Sequence, residues 1–181
     1  LEFKGASISV EHGYDDNICD YRDTVPQLFW PNGFIIISNG TEAKVGATYA
    51  TWEFFGDWKV IDADGNRGVV ALETAIRGTC TQDYLLDIIE NFVAYLERPG
   101  GLIKSVGRNH QVLGVNASIE NMHRVRSEGD KKLGVFWHTQ GSGKSLSMLW
   151  FTQKVLRRLP GKWTFVMVTD RTELDAQLHK E

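Results

Sequence analysis

A glycine-rich stretch between an apolar run and a helical pattern has residues suited to chemistry. It reads ThrGlnGlySerGlyLysSer over residues 139–145. Gly141 and Gly143 permit backbone conformations that turn several N–H groups inward, and the helix that follows adds the positive end of its dipole. Lys144 supplies a point charge, and the Ser145 hydroxyl is a ligand for Mg²⁺. The pattern therefore predicts a loop that binds the phosphates of a nucleotide.

Every residue of this loop is expected to contact the nucleotide. The set is Thr139, Gln140, Gly141, Ser142, Gly143, Lys144 and Ser145. His138 stands where the strict GxxxxGK[ST] pattern has glycine. Upstream, Gln111 carries both a donor and an acceptor, which suits the edge of adenine, although a glutamine at a helix start is usually a solvated residue.

A second chemistry is suggested by acid-x-Lys pairs, because a carboxylate can hold Mg²⁺ while a nearby cation orients or activates water. Alternation of apolar and polar residues favours Glu2 and Lys4, which would project from one face of a strand. Glu42 and Lys44 follow a turn and are typical of a solvated hairpin. Spacing alone does not choose among the four pairs: Glu2–Lys4, Glu42–Lys44, Asp57–Lys59 and Asp130–Lys132.

Composition bounds the class of protein. The chain has 181 residues, of which 42% are hydrophobic and 24% charged, as in folded globular proteins. Its net charge of -3 means that nucleic-acid affinity must come from local patches. Cys19 and Cys80 lie far apart without metal-ligand spacing, which suits a reducing compartment. No apolar run is long enough for a membrane helix and no signal peptide opens the chain, so we expect a cytoplasmic protein without a membrane partner.

The elements that position these residues fall into two halves, divided by ProGlyGly at 99–101. The first half predicts strands, a tight turn at Asn39-Gly40 and helices. The second half alternates strands with helices, which predicts a parallel sheet. The expected strands are 1–4, 33–38, 43–48, 102–105, 133–137 and 164–169. The expected helices are 14–24, 85–96, 108–126, 144–158 and a final one after 169.

Several stretches resemble one known family. PheTrpHisThrGlnGlySerGlyLysSerLeuSerMet (136–148) and ThrPheValMetValThrAspArgThrGluLeuAspAlaGln (164–177) are similar to motifs I and Ia of the superfamily 2 DNA translocase in the R subunit of type I restriction enzymes. AspTyrArgAspThrValProGlnLeuPheTrp (20–30), IleIleSerAsnGly (36–40) and TrpGluPhePheGlyAspTrpLys (52–59) resemble the nuclease domain of that subunit. The resemblance covers essentially the whole chain.

The resemblance implies an α/β protein that is an internal fragment of a longer chain. Residues 1–98 would be the C-terminal part of a PD-(D/E)xK nuclease domain. Residues 99–181 would be the N-terminal part of the first RecA-like translocase lobe, a P-loop domain with a parallel sheet. The implied enzyme is a type I site-specific deoxyribonuclease that uses ATP and Mg²⁺ to translocate and cleave double-stranded DNA. Its implied partners are methyltransferase and specificity subunits.

The same resemblance assigns residue roles. Glu2 and Lys4 match the ExK element, with Glu2 as a metal ligand, and the preceding metal-binding Asp would fall before Leu1. Asn17 and Tyr21 match the QxxxY element, with Asn in place of Gln, and complete the expected catalytic set. Gln111 matches the adenine-reading glutamine, and Ser145 the Mg²⁺ ligand. Motif Ia along the tracked DNA strand is represented by Thr169, Asp170 and Arg171, which also suit a helix cap.

Two other interpretations remain open. One is a stand-alone superfamily 2 helicase or remodeller with a non-catalytic N-terminal DNA-binding domain, which the presence or absence of the Asp expected upstream of Leu1 would distinguish. The other is an inert, incomplete fold. Because each expected active site lacks part of its machinery, we expect the 181 residues alone to be inactive.

Overall fold

The computed structural model describes residues 2–3, 5–98, 101–129 and 132–168. The chain divides into two compact units. Unit 1 comprises Leu1–Tyr95 with Ile103–Asn109, and unit 2 comprises Leu96–Leu102 with His110–Glu181. The chain passes between the units in a β-hairpin and again at the start of a long helix.

Unit 1 contains a four-stranded mixed sheet in the order β1-β2-β3-β4. Strand β1 is parallel to β2, and the other neighbouring pairs are antiparallel. The expected tight turn joins β2 to β3, with Gly40 at a φ of 92° and the Asn39 side chain accepting hydrogen bonds from the next backbone N–H groups. The strands are β1 Glu2–Phe3, β2 Ile35–Ser38, β3 Ala43–Gly46 and β4 Gly56–Asp57.

Helical segments cover the sheet of unit 1. The helix expected over 14–24 is present but begins at Val10, and its middle is π-helical, an uncommon form that often marks functional sites. The segments are α1 Val10–His12, the π-helix Gly13–Cys19, α2 Asp20–Thr24, two 3-10 turns at Pro26–Phe29 and Trp52–Phe54, α3 Ala71–Thr79 and α4 Gln82–Asn91. Helix α3 was not expected from the sequence.

The core of unit 1 lies between the sheet and the helical run formed by α1, the π-helix and α2 (Val10–Thr24). Val10, Tyr14 and Ile18, spaced four residues apart, are buried together with the apolar strand β2. Every residue of β2 is buried, as its continuous apolar run predicts. The core cluster comprises Val10, Tyr14, Ile18, Phe29, Ile35, Ile37, Ala47, Ala50 and Phe55.

One predicted helix is wrong at its C-terminal end. Helical spacing extended to Leu96, but α4 ends at Asn91 and the chain continues as strand β5, Val93–Arg98. Strand β5 forms a two-stranded sheet with β6, Gly101–Val106. Over so few residues, the apolar positions after α4 fit both the helical and the strand periodicity. Pairing with β6 stabilises the strand.

Unit 2 is built on two helices, α5 Asn109–Glu128 and α6 Lys144–Arg158. The bounds of α6 are those predicted, and α5 is close to its predicted range. Their shared cluster contains Ile119 of α5 with Val155 and Leu159, and Trp163 and Phe165 pack against it. This packing joins α5 to α6 and to the segment that follows α6.

The expected strands at 133–137 and 164–169 are absent from the described part of unit 2, although the coarse α/β class holds for the chain. A strand requires ladder hydrogen bonds to a neighbour, and no described residues pair with these segments. Val135, Trp137 and Val166 are 93%, 79% and 83% exposed, whereas parallel strands are normally buried on both faces. Among the described residues, no helix has the length and apolarity needed to cross a membrane.

Candidate functional site

The glycine-rich loop leads directly into α6, as its sequence predicts. Gly141 and Gly143 have φ angles of 79° and 81°, a left-handed conformation that glycine adopts without steric cost. Gly143 is the N-cap of α6, and no side chain caps that end of the helix. The first turn of a helix leaves its N–H groups without intrahelical partners. The loop and the helix start therefore present donors suited to an anion.

Lys144 lies against its own loop. Its Nζ donates to the backbone oxygens of His138 and Thr139, at 3.0 and 3.1 Å. The residue is solvent-exposed, and neutral carbonyl oxygens are weaker partners for an ammonium than anionic phosphates. The ammonium is thus held beside the open N–H groups by contacts that it can exchange for phosphate. The Ser145 hydroxyl makes no side-chain hydrogen bond within the described residues.

Gln111 is brought to this loop, but its amide is already engaged. Its side-chain nitrogen donates to the backbone oxygens of Gly143 at 2.9 Å and Ser142 at 3.3 Å, and the residue is 2% exposed. The two amide hydrogens are therefore both used. Reading the adenine edge with donor and acceptor together would require Gln111 to release one of these oxygens.

His110 was not among the predicted site residues, yet it contacts the same loop. Its Nε2 lies 3.0 Å from the backbone oxygen of Ser142. Because a carbonyl oxygen only accepts, Nε2 must carry the hydrogen in this contact. The sequence signal that could have identified His110 is its position directly before Gln111. In the structure both residues donate to the loop.

Contacts with α5 continue upstream along the segment that enters the loop. Asn121 donates to the backbone oxygen of Leu133, and a Cβ on Gly114 would stand 2.4 Å from the Phe136 ring. Gly114 is therefore the residue that permits this close approach. The segment runs antiparallel to α5. As the residue numbers along the segment increase, the residues of α5 that it contacts decrease in number towards His110.

His138 sits in a cluster of rings at the mouth of the loop. Its ring centroid is 4.8 Å from that of His110 and 4.6 Å from that of Phe136. Burial, together with the positive charges of His110 and Lys144, lowers the pKa of His138 below the usual histidine value. These surroundings thus disfavour the protonated imidazole.

The predicted nuclease residues are only partly described. Glu2 lies in β1, in register with Ile37 of β2, and Ile37 is in register with Lys44 of β3. Lys4 and the side chain of Glu2 lie outside the described residues. The structure therefore gives the position of Glu2 in the sheet but no geometry for the acid-x-Lys pair.

Two rival acid-x-Lys pairs are coupled to each other. Lys44 Nζ is 2.8 Å from Asp57 Oδ1 across β3 and β4, and it lies 5.9 Å from the centre of the Trp52 ring. The lysine of one acid-x-Lys pair is thus bound to the acid of the other. This is the structural role expected of an exposed ion pair. Asp130 of the remaining pair lies outside the described residues.

The predicted Asn17 and Tyr21 lie on the helical run beside the sheet. Asn17 is half-buried in the π-helical segment, and Tyr21 of α2 is 36% exposed. The same run carries a contact that the sequence did not reveal. Tyr14 Oη donates to the backbone oxygen of Ala50 at 3.1 Å, and Arg22 donates to that oxygen at 3.0 Å.

The expected motif Ia residues Thr169, Asp170 and Arg171 lie outside the described residues. Within the described part, no group of three or more histidine, cysteine or acidic side chains is arranged to hold a metal ion. The chemistry that the structure does display is that of the loop before α6.

Comparison with known proteins follows the same division of the chain. Residues 1–54 match the family described as the type I restriction enzyme R protein N terminus. Residues 110–181 match the SWI2/SNF2 ATPase family. Together the two matched ranges span more than half of the chain.

Individual relatives agree. The chain is 39% identical over 165 residues to the type I restriction enzyme HindI endonuclease subunit of Haemophilus influenzae, covering 87% of this chain and 16% of that protein. It is 24% identical over 204 residues to the putative type I restriction enzyme MjaIXP endonuclease subunit of Methanocaldococcus jannaschii, covering 99% and 19%. The chain thus spans less than a fifth of the length of these relatives.

The fold, the loop and the matches define a class: a restriction-enzyme N-terminal region joined to a SWI2/SNF2-type ATPase region. Within that class, the chain belongs to the type I restriction enzyme R proteins, as its motifs predicted.

Proposed function

We propose that this chain contributes to ATP-dependent translocation and double-strand cleavage of DNA by a type I restriction enzyme. The observation that carries the proposal is the loop before α6, where two left-handed glycines, an uncapped helix start and Lys144 create an anion site. Relatives named as restriction endonuclease subunits support the nuclease part. The proposed enzyme acts in the cytoplasm with methyltransferase and specificity subunits.

In this proposal residues 99–181 belong to a RecA-like lobe and residues 1–98 to a nuclease domain. The loop residues 139–145 hold the nucleotide phosphates through backbone N–H groups and Lys144. The Ser145 hydroxyl would hold Mg²⁺, whose chemistry is to neutralise phosphate charge in the transition state. Gln111 reads the base after releasing one loop oxygen.

The proposed nuclease site uses Glu2 and Lys4, supported by Asn17 and Tyr21. Glu2 would hold the divalent metal, and Lys4 would orient water for attack on the DNA phosphate. The exposed Tyr21 and the half-buried Asn17 lie on the helical run that packs on the sheet. Thr169, Asp170 and Arg171 would follow the tracked strand of double-stranded DNA, with Arg171 on a phosphate.

The test compares Lys144→Ala with Lys162→Ala, which removes an exposed lysine outside the loop, in a full-length restriction subunit that carries these residues. Loss of a charge-assisted phosphate contact costs about 1.5–3 kcal/mol in binding, so Lys144→Ala should lower ATP hydrolysis at limiting ATP about 10- to 150-fold while Lys162→Ala retains it. Normal hydrolysis by Lys144→Ala would refute the motor assignment.

A second arm separates the nuclease from the motor. Glu2→Ala or Lys4→Ala should eliminate DNA cleavage while ATP hydrolysis continues, because the two chemistries use different residues. The SWI2/SNF2 match also suits a remodeller without nuclease activity. If the wild-type subunit hydrolyses ATP but never cleaves DNA, the remodeller interpretation replaces the restriction one.

A further inference from the structure

His138 occupies the first position of the phosphate loop, where the strict pattern has a glycine without a side chain. Its backbone oxygen accepts from Lys144 Nζ at 3.0 Å, so the residue lies beside the ammonium that the proposed function assigns to the phosphates. Its ring is held between the rings of His110 and Phe136 and over Gly114, where a Cβ would be 3.5 Å from Nε2. The imidazole is therefore a positioned part of the loop.

Among the residues that the structure describes, the charged and titratable groups that face this imidazole are basic. His110 faces it from α5 and Lys144 from α6, while Phe136 and Gly114 contribute no charge. Among the described residues, no carboxylate forms an ion pair with His138. Two imidazoles and an ammonium thus share one small region without a counter-anion, an arrangement that is complementary to a polyphosphate.

We propose that His138 is an additional phosphate-binding group of this loop, and that a polyphosphate bound there favours the protonated imidazole. The inference rests on the proposed nucleotide-binding function and adds a residue to it. The proton comes from solvent and is released again when the polyphosphate leaves.

The direction of the proton linkage follows from the surroundings. In the empty loop, burial and the neighbouring positive charges hold the pKa of His138 below its usual value. A polyphosphate brings negative charge, which favours the imidazolium and raises that pKa. Binding must then take up protons around neutral pH, and by linkage the affinity must fall as pH rises.

The experiment is titration calorimetry of a full-length restriction subunit that carries these residues, with ADP in the absence of Mg²⁺, at pH 6, 7 and 8. Two buffers of different ionisation enthalpy at each pH give the number of protons taken up. The wild-type subunit should bind ADP more tightly at pH 6 than at pH 8, by at most about tenfold for each unit by which the polyphosphate raises the pKa of His138. Protonation of ADP itself is common to all variants and cancels in their comparison.

The variants separate His138 from its neighbours. His138→Asn and His138→Gln should each reduce the change in affinity between pH 6 and pH 8 to less than about twofold. His123→Asn, which alters an exposed histidine of α5, should keep the wild-type pH dependence.

The remaining outcomes distinguish failure of the His138 inference from failure of the proposed function. Wild-type pH dependence in both His138 variants, or its loss in His123→Asn, refutes the assignment to His138. Binding that requires Lys144 but takes up no proton refutes this inference and leaves the proposed function intact. ADP affinity that is the same in the wild type and in Lys144→Ala refutes the proposed function itself.

Discussion

Replacing Gln111 by glutamate tests the geometry of the loop with almost no change in side-chain size. The substitution exchanges the amide nitrogen, which donates to Gly143 and Ser142, for an oxygen that is 2.9 Å from the Gly143 carbonyl oxygen. Two acceptors then face each other at a buried position. The carboxyl must either take up a proton and donate, or release the loop.

The structure and the pH set the size of the effect. Holding the carboxyl protonated costs about 1 kcal/mol at pH 5 and about 5 kcal/mol at pH 8, at 1.36 kcal/mol per unit above an ordinary pKa near 4.3. Releasing the loop instead costs about 1–3 kcal/mol, the penalty for unmade buried hydrogen bonds. The loss of unfolding free energy should therefore rise from about 1 kcal/mol at pH 5 to a limit of about 3 kcal/mol at pH 8.

The sign follows from linkage. A carboxyl whose folded-state pKa is raised binds more protons when folded, so the variant is least impaired at low pH and loses stability as pH rises. Urea denaturation of the variant and the wild type at both pH values measures the difference. Gln82→Glu, at an exposed position in the first turn of α4, is the control and should show no such loss. An equal loss at both pH values, or none, would refute the buried contact.

Two further predictions address the loop and the helical run. Gly143→Ala should prevent ADP binding in calorimetry, because the position has a φ of 81° and a Cβ would stand 2.7 Å from the Gln111 nitrogen; Gly5→Ala, which meets nothing within 4 Å, should bind normally. Tyr14→Phe should lower the unfolding free energy by about 1 kcal/mol through loss of its bond to the Ala50 oxygen. Unchanged urea midpoints in Tyr14→Phe would show that this bond contributes nothing.

Local sequence signals were sufficient for the elements whose stability is local. The bounds of α6 follow from the glycines before it and the loop ProGlyLys after it, and the turn at Asn39-Gly40 follows from the conformations that these two residues tolerate. The buried strand β2 follows from a continuous apolar run, which is stable only when it is removed from water. The anion-binding character of the loop also belongs to this group, since glycine freedom and a helix start are properties of a short segment.

The tertiary structure decided what depends on a distant partner. Strand β5 exists because β6 pairs with it, and the segment at 133–137 is not a strand among the described residues because nothing there pairs with it. Lys44 belonged to one of four acid-x-Lys pairs among which spacing alone did not choose, and only the sheet showed that Asp57 of the neighbouring strand is its ion-pair partner. These outcomes require knowledge of which strands are neighbours.

The site shows the same division between local pattern and folded contacts. The sequence by itself predicted that Lys144 belongs to a phosphate-binding loop, because the residue types and their spacing suit that chemistry, and a family resemblance suggested that Gln111 reads the base. Only the fold showed that the Gln111 amide holds loop oxygens and that His110 and His138 share the loop. The physical reason is that hydrogen bonds and pKa values depend on which groups are a few ångströms apart, and the packing of α5 along the loop sets those distances.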